Sequence, residues 1–272
     1  MNRQVIIVGG GAAGFFAAIT IAETNPDLNV TILEKSNKVL QKVKISGGGR
    51  CNVTHACFNP TDLVEYYPRG RRELLGPFHQ FMTGDTMQWF EDRGVALKIE
   101  KDGRVFPVSN SSDTIVNCLI ECAKTANVEL KLNQNVKNIS KANEQFKIET
   151  DSQEFLADLV LIATGSSPKF WELIGRLGHK IISPVPSLFT FKINDARIKE
   201  IPGISVPNAT VHLIGSSLIS SGPLLITHWG ISGPAVLKLS AFGALFLAEK
   251  NYQYDVVINW ISKTKNETLT IL

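Results

Sequence analysis

Short apolar runs separated by glycine-rich turns open the chain. Gln4-Val5-Ile6-Ile7-Val8 is long enough for one buried strand, and Gly9-Gly10-Gly11-Ala12-Ala13-Gly14 follows at once. Phe15 to Glu23 is rich in alanine and free of glycine and proline, which predicts a helix. Asn25-Pro26-Asp27 ends it, and Asn29-Val30-Thr31-Ile32-Leu33 predicts a second strand with Glu34 at its C-terminal end.

Asn59 to Gly84 is dense in proline and glycine and predicts loop. Asp85 to Arg93 predicts a helix with Gly94 as its stop. Asp102-Gly103 is a hairpin turn between Ala96–Glu100 and Arg104–Phe106, and Ser109 to Ser112 leads into a helix from Asp113 to Thr125. Val128 to Leu132 alternates apolar and polar residues, as a half-exposed strand does. Val136–Ile139, Gln145–Glu149 and Phe155–Leu156 predict an antiparallel meander. The unbroken apolar run Leu159 to Ala163 predicts a strand in the middle of a parallel sheet, with a helix from Pro168 through Arg176.

Ser183-Pro184-Val185-Pro186 predicts a linker. Beyond it, Ser187–Ile193, Ala209–Leu213, Leu218–Ile219 and Leu224–Thr227 predict strands. Thr227 to Pro234 predicts a polar, glycine-rich turn before a helix from Pro234 to Glu249, with a last strand at Tyr254–Asn259. The whole predicts an α/β fold: a Rossmann-like nucleotide-binding domain with a parallel sheet and a β-meander over residues 1–183, and a β-rich second domain over residues 184–272.

The chemistry concentrates in the first turn. Gly9 permits a sharp passage from strand to helix, Gly11 leaves room for a pyrophosphate, and Gly14 lets the helix pack tightly on the strand. The free N–H groups and positive dipole end of the helix, around Ala12 and Ala13, then face the phosphates. Glu34 is placed to accept hydrogen bonds from the ribose hydroxyls of an adenosine and to repel a 2′-phosphate, which excludes NADP from this site.

A second glycine run, Ser46-Gly47-Gly48-Gly49-Arg50-Cys51-Asn52, is flanked by the cations Lys42, Lys44 and Arg50. Folded back on the first turn, it would contact the pyrophosphate or the ring system of the same ligand. The other reading is a basic surface loop.

Composition narrows the class. The 272 residues are 44% hydrophobic and 19% charged, as in a globular protein. A net charge of +3, from 28 basic and 25 acidic residues, argues against a dedicated nucleic-acid binder. No stretch has the length of a membrane span or the form of a secretory leader, so a cytoplasmic chain is expected. The four cysteines form no C-x-x-C pair, which predicts reduced thiols and no metal site; Cys118 and Cys122 share a helix face, as core packing residues often do.

Taken together, Val8 to Gly14, Ser46 to Thr54, Gly103-Arg104-Val105-Phe106-Pro107, Ala163-Thr164-Gly165 and Thr227-His228-Trp229-Gly230-Ile231-Ser232-Gly233-Pro234 resemble the flavoproteins known as aminoacetone-oxidase-like or BaiN-like NAD(P)/FAD-dependent oxidoreductases. The resemblance runs along nearly the whole chain. It implies FAD in a glutathione-reductase-like Rossmann domain, with the β-rich domain inserted into it. It places Gly9, Gly11, Ala13, Gly14 and Glu34 on the ADP half, and Arg50, Cys51 and Asn52 toward the flavin; Ala12, Lys35, Lys42 and Gly49 are further cofactor-binding candidates. Val136 would offer its backbone to the adenine, and Ala163, Thr164 and Gly165 would close the pocket. Members of this family continue beyond the inserted domain and cover the flavin with a late glycine-rich segment. This sequence stops inside the inserted domain, so a shortened or partial member is expected.

The expected function is oxidoreduction of a small molecule by hydride transfer through FAD, with NAD(P)H as the candidate external reductant. Three alternatives stay open: an NAD-dependent dehydrogenase, a truncated nucleotide-binding protein without catalysis, and thiol chemistry at Cys51 beside Arg50. His228 is the candidate catalytic residue, a proton donor near neutral pH, against the reading that His228 and Trp229 buttress the turn.

Overall fold

The computed structural model describes residues 3–261, 263 and 265–270. The backbone forms two compact units. The first comprises the residues up to Glu65 together with Arg72–Ile181; the second comprises Tyr66–Arg71 and the residues from Ile182 onward. Among the described residues, no helix is long and apolar enough to cross a membrane.

The first unit opens with β1 (Gln4–Val8), α1 (Ala12–Thr24) and β2 (Asn29–Leu33), a parallel strand–helix–strand unit. Then come α2 (Gln41–Gly49), β3 (Thr54–His55), α3 (Pro60–Leu63), α4 (Arg71–Gln80) and α5 (Thr83–Glu91). The hairpin of β4 (Leu97–Ile99) and β5 (Arg104–Pro107) pairs with β3, and α6 (Ser112–Thr125) follows. The unit ends with β6 (Glu129–Lys131), the meander β7 (Asn138–Ala142), β8 (Gln145–Glu149) and β9 (Glu154–Ala157), then β10 (Leu159–Ile162) and α7 (Pro168–Arg176).

The central sheet has the order β10-β1-β2-β6, all parallel. β1 and β2 at its centre are apolar on both faces because both are covered, while the edge strand β6 is polar and largely exposed. Val5, Ile7, Val30 and Ile32 pack on Phe15, Ala18 and Ile19 of α1 and on Ile115 and Leu119 of α6. Ile6, Val8 and Leu33 pack on the meander residues Ile139, Ile148 and Ala157 and on Phe170 and Leu173 of α7.

Two expectations are corrected. The strand from Leu159 lies at an edge of this sheet and not in its middle, and Leu159 is 50% exposed. An unbroken apolar run reports that both faces are covered, as Leu161 on one side and Val160 and Ile162 on the other show; it does not report the number of paired neighbours. The stretch Asn59 to Gly84 is largely helical rather than loop. Asn59 caps α3 through Thr61 N–H at 2.9 Å, so Pro60 starts a helix there, while Pro77 sits within α4.

The second unit carries β11 (Phe191–Lys192), α8 (Ala196–Lys199), β12 (Ser205–Leu213), β13 (Ile219–Thr227) and β14 (Gly230–Ser232). Then follow α9 (Pro234–Phe242), α10 (Ala244–Glu249) and β15 (Val256–Asn259). The antiparallel sheet β11-β14-β13-β12-β15 packs Val211, Leu213, Leu224 and Ile226 against Ala235, Val236 and Leu239 of α9. Arg69 Nη1 donates to the Ala241 carbonyl at 2.9 Å and ties the short Tyr66–Arg71 segment to this unit. The expected turn from Thr227 to Pro234 is shorter than its composition suggests. Only His228 and Trp229 turn the chain, while Gly230–Ser232 is a strand, and Gly243 divides the expected long helix in two.

Candidate functional site

The carboxyl ends of β1, β2 and β10 converge. Gly9, at φ +117°, donates its N–H to Leu33 O at 2.9 Å. A Cβ at Gly9 would lie 2.5 Å from the Ala163 carbonyl oxygen, so only glycine fits between the ends of β1 and β10. A Cβ at Gly14 would lie 1.9 Å from Gly9 O, which is why α1 can seat directly on the strand end. Gly11 differs: no atom stands within 4 Å of its Cβ position.

Gly11 is also the N-cap of α1. As glycine, Gly11 brings no side chain to cap that helix, and the first turn holds no acidic residue. Ala12 and Ala13 are exposed. The first N–H groups of an α-helix have no partner within it and carry the positive end of its dipole. Gly11, Ala12 and Ala13 therefore form an open, anion-directed cradle.

Glu34 stands at its side. Gly10 N–H donates to Glu34 Oε2 at 2.8 Å, and Ser36 donates to Oε1 twice, from N–H at 3.0 Å and from Oγ at 2.9 Å. Gly10 in turn accepts from Leu40 N–H at 2.8 Å, which brings the start of α2 against the turn. From there Lys42 reaches toward Gly165, whose Cβ position is 3.6 Å from Lys42 Nζ. Ala163 N–H donates to Val8 O at 2.8 Å, and Ala163 and Thr164 border Gly9. The structure thus gathers Gly9, Gly11, Ala12, Ala13, Gly14, Glu34, Lys42, Ala163, Thr164 and Gly165 in one place. Gly10 and Ser36 complete it. Sequence reasoning passed over Gly10, although it sits within the glycine run, and over Ser36, two residues beyond Glu34.

Other candidate residues are engaged elsewhere. Lys169 Nζ donates to the Val136 carbonyl at 2.7 Å, and the Val136 side chain is core. Lys35 is exposed; with Lys137 and Arg176 it adds repulsion to the loss of water that already holds Lys169 below the usual lysine range. The glycine run lies at the far end of α2, where Ser46 leaves helical geometry and Gly47, Gly48 and Gly49 take φ of +56°, +69° and +82°. The backbone N–H groups of Arg50 and Cys51 both donate to Ser46 O, so that concavity is already filled by a carbonyl. Space remains open beside Gly48 and Gly49. In the amide orientation that satisfies it, Asn52 donates to Thr54 O at 2.9 Å and Val105 O at 3.2 Å.

The Arg50 guanidinium is paired with Glu100 at 2.6 Å and lies 3.9 Å from the Phe106 ring centroid. Its charge is therefore already balanced within the protein. Cys51 is buried in the core, and burial pushes its thiol up from the ordinary value, with the Ser46 hydrogen bond pulling partly back. A thiol so placed is harder to ionise, which counts against thiolate chemistry at Cys51.

His228 is exposed in the two-residue turn that joins β13 to β14, and Trp229 beside it is 55% exposed. Thr227 Oγ1, one residue earlier, is buried without a hydrogen-bond partner among the described residues.

The strand–glycine–helix turn, the acidic residue after the second strand and the parallel sheet define a Rossmann-type nucleotide-binding protein. The sequence pattern of the HI0933-like protein Rossmann domain matches residues 3–263, and the chain belongs to that family. It is 28% identical over 250 residues to the 3-dehydro-bile acid delta(4,6)-reductase of Clostridium scindens, covering 88% of this chain and 60% of that protein. It is 27% identical over 251 residues to the ribosomal RNA dihydrouridine synthase of Haemophilus influenzae, covering 87% of this chain and 61% of that one. A shorter match, 44% over 53 residues, covers 20% of this chain and 9% of the fumarate reductase flavoprotein subunit of Mycobacterium tuberculosis. The chain spans about three-fifths of the length of the first two relatives.

Proposed function

We propose that the first unit binds FAD and that the protein is an oxidoreductase acting on a small molecule by hydride transfer. The observation that carries this is the uncapped amino end of α1, open at Gly11 and flanked by Glu34. In this reading the N–H groups of Ala12 and Ala13 hold the pyrophosphate, with Lys42 adding positive charge. Glu34 accepts from the ribose hydroxyls. Its two oxygens already take three hydrogen bonds from Gly10 and Ser36, which fixes the carboxylate for that contact. FAD, when bound, supplies a hydride donor or acceptor at its flavin ring.

The family assignment, a relative named as a reductase and another named as a flavoprotein support the flavin reading over an NAD-dependent dehydrogenase. The fold supports it as well. A nicotinamide enzyme of the doubly wound type needs a second mononucleotide-binding half, and here the antiparallel meander β7–β8–β9 follows β6 instead. NAD(P)H is the proposed external reductant. His228 is proposed to supply the proton that accompanies hydride addition. The test is the absorption spectrum of the purified protein, with chromatography of the nucleotide released on denaturation. A flavin spectrum and released FAD are expected; isolation with NAD, and no affinity for FAD, would overturn the proposal.

A further inference from the structure

Cys118 and Cys122 lie outside the nucleotide site, on one face of α6, with their sulfurs 4.0 Å apart. Ile115, Leu119 and Ala123 of the same helix point into the core, while both cysteines are half-buried at its flank. Two thiols at this separation have three chemical uses: packing, a disulfide, or a shared ligand.

A disulfide does not fit the helix. Residues four apart hold their Cβ atoms about 5–6 Å apart, whereas a disulfide needs about 3.5–4.5 Å. Closing it would unwind the end of α6. A shared soft ion fits without that change. With metal–sulfur bonds of about 2.3 Å, a sulfur separation of 4.0 Å subtends about 120° at the ion. That is the angle between two ligands of a trigonal centre. Among the described residues no group of three or more histidine, cysteine or acidic side chains is placed to hold a metal. The third position is left to water or a small thiol, which excludes a closed structural zinc site of four protein ligands.

We infer that Cys118 and Cys122 form a two-thiolate site for one soft monovalent cation of the copper(I) class. Binding exchanges two S–H protons, released to solvent, for two metal–sulfur bonds, with no change of oxidation state. The product carries one net negative charge. Arg93 is positioned to offset it, since its guanidinium pulls the Cys118 thiol downward. Arg93 is itself held by Glu23 at 2.7 Å and by the Trp89 ring at 3.9 Å. Burial, then repulsion between the two sulfurs, pushes the Cys118 thiol up to about 12.

The test uses silver(I), a redox-inert probe of the same class, on the reduced protein. One equivalent is added, alkylation by iodoacetamide follows, and the modified cysteines are mapped by mass spectrometry. We expect protection of Cys118 and Cys122 together while Cys57 reacts at its unchanged rate. Competition with a small thiol then measures affinity in the variants. Cys118→Ser and Cys122→Ser should each weaken silver binding by at least about 100-fold, and Cys57→Ser should leave it unchanged. Protection that falls on Cys51 or Cys57, equal affinity in Cys118→Ser, or no silver retained against the competing thiol overturns the assignment. The protection readout needs no variant to fold.

Discussion

The N–H of Gly10 donates to Oε2 of Glu34 at 2.8 Å, joining the glycine turn after β1 to the end of the neighbouring strand. A Cβ at Gly10 would stand 3.1 Å from Glu34 Cβ and 2.9 Å from Val39 Cγ1, so the bond depends on glycine at this position. The carboxylate closes the turn, and in the proposed reading it also faces the ribose. Glu34→Ala should weaken FAD binding by roughly 1.5–3 kcal/mol, the value of a hydrogen bond to a charged group. It should also lower stability, because Gly10 N–H loses its acceptor. Flavin fluorescence titration and thermal melting read the two effects separately. An unchanged affinity removes Glu34 from the ribose.

The glycines of the turn should separate into two behaviours. Gly14→Ala places a methyl 1.9 Å from Gly9 O and should lower the melting temperature sharply. Gly11→Ala meets nothing within 4 Å at φ −95°, so melting should stay near wild type while FAD affinity falls. If Gly11→Ala binds FAD as the parent does, the cradle is not where the phosphates sit.

Arg50 is half of an ion pair whose side chains are 32% and 27% exposed. A double-mutant cycle of Arg50→Ala and Glu100→Gln should give a coupling of about 1 kcal/mol. Arg50→Ala also tests whether the run from Gly47 to Asn52 belongs to the pocket: if it does, flavin binding weakens or the flavin spectrum shifts. A spectrum and affinity equal to wild type would place the run outside the pocket.

His228→Asn should slow turnover with flavin content and melting temperature unchanged. Its exposure in the turn after β13 means that little packing is lost on substitution. A variant that melts earlier but keeps its specific activity would reduce His228 to a supporting residue.

Stability should fall in alkali. The Cys118 thiol is raised from 9.0 to about 12 and the Tyr254 hydroxyl from 10.0 to about 12, in both cases first by burial. Above pH 9 the unfolded chain sheds these protons before the folded chain does. The stabilisation is therefore complete below the unfolded values and is lost as pH rises through about 9 to 12. Cys118→Ser and Tyr254→Phe should each flatten the decline in a melting series. A profile that is level across that window contradicts the raised values.

The strand–glycine–helix turn was legible in the sequence because it is local. A strand, three spaced glycines, a helix and an acidic residue fall within 35 positions, and each glycine's role follows from backbone geometry alone. The meander and the hairpin at Asp102-Gly103 were legible for the same reason. What only the tertiary structure decided involves partners far along the chain. Arg50 and Glu100 are 50 positions apart, and their pairing withdraws a charge that looked available to a ligand. Lys169 takes the carbonyl of Val136 from 33 positions away. Cys51, polar by neighbourhood, is buried by residues it does not adjoin. The strand from Leu159 reads as central by composition and is an edge by pairing. Hydrophobic pattern reports which faces are covered, and turn chemistry reports backbone conformation. Neither reports which side chain meets which across the fold, and that assignment sets the charges, the free thiols and the open space of the site.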